Sequence, residues 1–265
     1  MPHPILRGST QYMPDKKAKT RRKAKLSPNT EMGTSGGTTP PNLGPLLQKV
    51  YRRLYTRYGP QGWWPGDGPF DVVVGAILTQ AAAWTNVERA IRSLHAADCW
   101  SWLAIYERPV EDLAEIIRSC GYFNAKARKL KAFAGHVVEG YEGDLAVMLD
   151  QDLPKLREEL LSIHGIGEET ADDILVYAAA KPSFVIDSYT RRILQRMDLI
   201  PRDKTISYQS CQTLFQDNLP ADVALFNEFH ALLDRHASQD CVKAPKCQDC
   251  CLKDLCATGT GKLAL

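Results

Sequence analysis

Residues 156–178, "LREELLSIHGIGEETADDILVYA", constrain the fold more than any other stretch of the chain. Apolar residues recur at three and four positions on both sides of a Gly-Ile-Gly core. That spacing predicts two helices joined by a turn of four or five residues. Gly165 and Gly167 bracket Ile166. Glycine permits a positive φ and lets another backbone approach without a Cβ clash. Ile166 is then free to point inward and pin the turn. The unbonded N–H groups that open the second helix face outward, where they suit a phosphate oxygen. A hairpin of this kind grips a DNA backbone without reading bases; the plainer alternative is an ordinary helix–helix connection.

The rest of the chain is compatible with that motif. From Asn42 onward the apolar spacing is helical almost throughout, with helices expected at 46–58, 71–80, 84–97, 111–119, 124–140, 153–162, 169–180, 188–197, 207–217 and 221–236. "DVVVGAILTQ" (71–80) is apolar nearly all round, which predicts a buried helix. "KPSFVID" (181–187) is the one β-like piece and is too short to imply a sheet. The expected fold is all-α. No repeat of 20–50 residues is present.

Charge is unevenly placed. The first 41 residues carry eight Lys and Arg against two acids, a net +6, which leaves −4 for the remainder of a chain whose total is +2. They are rich in Pro, Gly, Ser and Thr, so 1–41 is expected as a disordered basic tail. A polyanion bound by the body must then be held by local patches and backbone amides, the tail adding long-range attraction. No run of 18 apolar residues is present and no secretory h-region opens the chain, so an intracellular protein of cytoplasm or nucleoid, without membrane contact, is expected.

Several side chains carry chemistry. Glu168 and Glu169 fall in the first turn of the second hairpin helix, where the macrodipole favours acids by about 0.3–1 kcal/mol each when exposed. Asp187 follows an apolar approach and precedes a helix, a position that suits an N-cap. A carboxylate fixed by backbone N–H groups also stays ionised and oriented. Trp63, Trp64 and Trp84 flank the buried helix. On the sequence alone they read as core packing. Lys126, Arg128, Lys129 and Lys131 make "GYFNAKARKLKAF" (121–133) basic, either as a phosphate-facing surface or as a solvated helix face.

Of eight cysteines, Cys99, Cys120 and Cys211 lie in helical patterns and are expected to be buried thiols. The other five crowd into 241–256. Cys241, Cys247, Cys250 and Cys256 read Cys-x5-Cys-x2-Cys-x5-Cys. In a reducing compartment this is a metal site, either a four-cysteine zinc site or an iron–sulfur cluster. Zinc usually takes two separated Cys-x2-Cys pairs, and only one is present.

Together these motifs resemble the helix–hairpin–helix DNA glycosylase superfamily, endonuclease III group, over residues 43–256. In that group the turn reads Leu-Pro-Gly-Val-Gly-Arg-Lys-Thr-Ala, and an Asp follows 18 positions after the Lys. Gly165, Gly167, Thr170 and Ala171 match, and 18 positions from Glu169 lies Asp187. Position 164 is His where Pro is usual, and Glu169 stands where bifunctional members carry a nucleophilic Lys. A carboxylate cannot form a Schiff base with an opened sugar, so the resemblance implies a monofunctional glycosylase that uses water. "WWP" followed by "GAILTQ" resembles the 3-methyladenine glycosylase branch. In that branch a Trp 17 residues before the Gln stacks on the base and an aromatic four residues after it supplies the other face; Trp63 and Trp84 meet both spacings. Ala81 replaces the usual Asn.

The resemblance implies two helical domains with a cleft between them, 69–180 and 42–68 plus 181–265, a hairpin and a C-terminal [4Fe–4S] loop. It implies Asp187 as the catalytic residue, and Trp63, Trp64, Trp84 and Glu169 at the base pocket. Gln80, Gly165, Ile166, Gly167, Thr170 and Lys126 would contact DNA, with Gln80 filling the gap left in the duplex. Cys241, Cys247, Cys250 and Cys256 would hold the cluster, with Cys251 a competing ligand where Pro is common. The implied partner is double-stranded DNA with a damaged base, bound by a monomer. Competing readings are an oxidised-pyrimidine or mismatch glycosylase and lyase, and a non-catalytic iron–sulfur DNA-binding protein.

Overall fold

The computed structural model describes residues 43–202 and 206–262; the basic segment 1–41 lies outside them. Among the described residues there are twelve α-helices and no strand. They run α1 Gly44–Tyr58, α2 Pro69–Leu78, α3 Trp84–Ala96, α4 Trp102–Glu107, α5 Val110–Ile116, α6 Phe123–Tyr141, α7 Leu145–Leu149, α8 Leu153–Ser162, α9 Glu168–Asp173, α10 Ser188–Arg196, α11 Tyr208–Gln216 and α12 Val223–Gln239. The expected all-α fold is thus what the chain adopts. Helices α4 and α7 fall outside the expected set. At six and five residues they are too short for apolar periodicity to register. Their starts are instead marked by Ser101 and Asp144, whose side chains accept N–H groups of the first turn. The β-like piece 181–187 has no regular structure, opens on a tight turn (Ser183 N–H to the Lys181 carbonyl, 2.8 Å) and pairs with no strand among the described residues.

The apolar side chains gather into two clusters. One holds α2 through α9, with Val73, Ile77, Leu94, Leu130, Phe133 and Leu175 among its members. The other joins α1 to α10, α11 and α12 through Leu54, Phe184, Leu194, Phe215, Phe229 and Leu233. Cluster membership changes between Leu175 and Val176, inside one continuous stretch of helix. The helix α2 is buried as expected: Val72 through Leu78 are all in the core. Cys99, Cys120 and Cys211 are buried too.

Lys126 corrects an expectation. It faces inward at 2% exposure, and its ammonium donates to the carbonyls of Leu78 (2.8 Å) and Cys120 (2.7 Å). It therefore ties off the ends of two helical segments and is not presented to DNA. Its helical spacing with Ala127, Leu130 and Phe133 puts it on the core side of α6; local charge alone suggests a basic surface.

Candidate active site

The Gly-Ile-Gly turn links α8 to α9. Gly165 needs its glycine, with φ at +86° and Lys129 packed where a Cβ would stand. Ile166 is 5% exposed and joins the first apolar cluster, pinning the turn from inside. Gly167 has φ at −95°, which any residue adopts; what glycine supplies there is open space in front of the amides that start α9. Gln80 reaches over from the end of α2. Its amide nitrogen donates to Thr170 Oγ1 (2.9 Å) and the Gly165 carbonyl (3.3 Å), and its oxygen accepts from Lys129. Both Gln80 and Thr170, read from the sequence as DNA contacts, are thus engaged with the hairpin itself, and Thr170 is buried.

Asp187 caps α10, accepting the Thr190 N–H at 2.6 Å, and is half-buried. The segment that delivers it is anchored at every step. Ser183 donates to Asp172 Oδ1 (2.7 Å). The Phe184 N–H donates to Gln216 (2.9 Å), its carbonyl accepts from Gln212 (2.8 Å), and the Ile186 N–H donates to Tyr208 (3.1 Å). Asp172 is the hub. Fully buried, it takes both branches of Arg157 (2.9 and 3.1 Å) and the Gln212 amide (3.0 Å). One residue of α9 therefore fixes the approach to the residue that caps α10.

The tryptophans form a chain of edge contacts. Trp64 touches Trp84 (5.7 Å, 82°), Trp63 (6.0 Å, 66°) and Tyr177 (5.3 Å, 60°), and Trp63 reaches His230 (6.0 Å, 81°). Trp64 thus links the two residues expected to face each other. Its indole lies over Gly75 of α2, where a Cβ would meet Nε1 at 2.9 Å. Asn227 holds the loop by donating to the Trp63 carbonyl (3.0 Å), and Tyr177 pairs with His230 Nδ1 (2.7 Å).

Acids surround this aromatic group. Burial, then the charge of Asp187, pushes Glu169 up to about 7, with Arg191 opposing. Glu169 is nonetheless exposed at the surface, so solvent screens part of this effect. Asp234 on α12 is pushed up to about 6 by the same two causes, against Arg235 and Arg192. Asp173 is buried and lies well above the usual carboxylate range, owing first to desolvation and then to Glu169, Asp187 and Asp172. Burial lowers His230, which keeps it neutral. The field of Asp187 thus reaches α9, the helical turn after it and α12. Asp173, Tyr177, His230 and Asp234 escape the sequence reading. The spacing 169, 173, 177 could have signalled Asp173 and Tyr177, as one face of a helix; His230 and Asp234, on α12, meet the site only in the fold.

A family model described as HhH-GPD superfamily base excision DNA repair protein matches residues 74–219. A protein of Methanocaldococcus jannaschii, provisionally described as a DNA repair glycosylase, is 41% identical over 213 residues, 80% of this chain and 96% of its own length. The chain belongs to the HhH-GPD superfamily. Solved structures agree on the fold. A trapped endonuclease III–DNA covalent intermediate superposes with a TM-score of 0.71 at 18% identity, covering 83% of this chain and 98% of that one. The Helicobacter pylori 3-methyladenine DNA glycosylase bound to 1,N6-ethenoadenine gives 0.63 at 24% identity, over 75% and 98%. In this HhH-GPD chain no described helix is long and apolar enough to cross a membrane.

Beyond α12, Cys241, Cys247, Cys250 and Cys256 of the HhH-GPD chain line one cavity, together with His236 and Arg196. Cys251 does not; its carbonyl accepts from Arg53 of α1 at 3.1 Å. Among the described residues no three His, Cys, Asp or Glu close around a single-ion position. Four cysteine sulfurs lining one cavity are the thiolate donors that either a zinc ion or an iron–sulfur cluster takes. Arg196 holds the loop by donating to the Cys241 and Val242 carbonyls (both 2.8 Å).

Proposed function

We propose that this chain is a monofunctional DNA glycosylase that everts a damaged base, an alkylated one among them, and hydrolyses its N-glycosidic bond with water. What supports this reading is Asp187, fixed as the cap of α10 at the end of a segment that the Asp172 network holds, with Glu169 at the start of the hairpin helix within range of its charge. Open amides at Gly167 grip a phosphate. The everted sugar then stands over Asp187, held in place by the Asp172 network. Its carboxylate stabilises the oxocarbenium-like sugar and orients the attacking water. Trp63, Trp64 and Trp84 give flat faces to the base. With Glu169 where an amine nucleophile would be needed, no Schiff base forms.

Two lobes, 69–180 and 42–68 plus 181–265, would flank the site; the sorting of apolar residues into two clusters supports this division. A [4Fe–4S] cluster held by Cys241, Cys247, Cys250 and Cys256 supplies a structural brace for the C-terminal loop. The protein acts as a monomer on double-stranded DNA. Purified protein incubated with duplexes carrying single lesions tests the reading. Strand breaks only after alkali, with no borohydride-trapped adduct, are expected. Breaks without alkali, or a trapped adduct, would remove the monofunctional assignment.

A further inference from the structure

Glu169, Asp173 and Tyr177 are spaced by four and share one face of a helix that widens to a π-turn directly after Asp173. At one end of this face Glu169 feels the charge of Asp187. At the other, the Tyr177 ring touches Trp63 (6.3 Å) and Trp64 (5.3 Å). Asp173 lies between them, 6% exposed, and its Oδ1 is buried with no hydrogen-bond partner among the described residues. The acids that act on it are Glu169, Asp187 and Asp172. Of these, Asp172 has its own cation in Arg157, whereas no ion pair among the described residues reaches Asp173. A buried carboxyl among like charges and without a counter-ion keeps its proton. A carboxylic acid held neutral in this way is a hydrogen-bond donor in waiting. Two further buried atoms of the aromatic group that Tyr177 touches, Trp64 Nε1 and His230 Nε2, also lack partners among the described residues, so polar groups around the rings are left for a ligand to satisfy.

We propose that Asp173 is a further catalytic residue, the acid that hands its proton to a ring nitrogen or carbonyl oxygen of the departing base, so that the site expels uncharged bases as well as cationic ones. This rests on the glycosylase reading and extends its substrate class. An alkylated purine cation leaves as a neutral base and needs no acid. An uncharged base leaves as an anion unless it is protonated. In the step, the Asp173 O–H breaks and an N–H or O–H forms on the base. The C1′–N bond breaks with its electron pair going to the base, and Asp173 becomes a carboxylate. Water then adds to C1′, and the proton it loses restores the acid.

The test uses full-length protein on duplexes carrying hypoxanthine, uracil or 1,N6-ethenoadenine, all uncharged, and 7-methylguanine, which is cationic. Asp173→Asn should lower single-turnover excision of the uncharged bases by about 10²-fold and change 7-methylguanine excision less than about 3-fold. For uncharged bases the wild-type rate should fall as pH rises and the acid ionises; in the variant that limb should vanish. Equal loss on both classes, no loss, an unchanged pH profile, or wild-type protein inactive on all uncharged bases while active on 7-methylguanine would overturn the proposal. If no lesion is excised by wild type, the glycosylase reading itself fails. A readout independent of turnover is the 13C carboxyl shift of Asp173 in the free protein. A neutral acid at pH 7 is expected; a carboxylate there contradicts the proposal even if the variant does not fold.

Discussion

Glu169 carries the sharpest consequence at the scale of one residue. Its folded pKa, about 7, is above that of an unfolded glutamate. The native state therefore binds the extra proton, and this contribution to stability is fully present below the unfolded value and lost as pH rises through about 7. Glu169→Gln should raise the melting temperature at pH 8 relative to wild type and leave it nearly unchanged at pH 4.5. A thermal melt at both pH values checks this, and a lower melting temperature at pH 8 would contradict it. Other residues teach where sequence reasoning stops. Asp187 is visible from the sequence because its cap position, which the structure bears out, and its proposed role at the sugar call for the same residue at the same place. Lys126 misleads because its charge says nothing of the helix face it occupies; its partners at Leu78 and Cys120 come from other segments. Trp64 as the link between Trp63 and Trp84 depends on the space above Gly75, which no local pattern encodes.

At the scale of elements, the two turn glycines should behave differently. Gly165→Ala forces a methyl onto the Lys129 side chain at a positive φ and should cost about 1–2 kcal/mol of stability. Gly167→Ala has room and an ordinary φ, so it should fold as wild type yet bind duplex DNA more weakly at every sequence, because the methyl stands before the open amides. Urea melts and binding to undamaged duplex separate the two. The hairpin is readable in the sequence since its spacing is local. The hub that serves it is not: Asp172, Ser183 and Gln212 come from three segments and meet only in the fold. Asp172→Ala leaves Arg157 without its buried partner and should cost roughly 3–5 kcal/mol by urea midpoint.

Among the described residues, two apolar clusters share one continuous helical stretch, which also carries Glu169, Asp172 and Asp173. The all-α class follows from periodicity alone. The division of apolar residues between clusters does not, because α1 leaves the neighbouring helices in sequence to pack on α12. The cysteine loop belongs to this scale too, since its sulfurs, His236 and Arg196 close a cavity between distant segments. Cys250→Ser should lose iron and acid-labile sulfide, whereas Cys251→Ser should keep both, as Cys251 lies outside that cavity. Metal and sulfide assays on purified protein decide between them.

The most direct measurement is single-turnover excision by Asp187→Asn on a lesion that wild type removes, with duplex affinity measured alongside. Asparagine caps a helix as well as aspartate does, so fold and DNA binding should persist while the rate falls by about 10²–10³. An excision rate equal to wild type at unchanged affinity would contradict the role of Asp187 at the sugar.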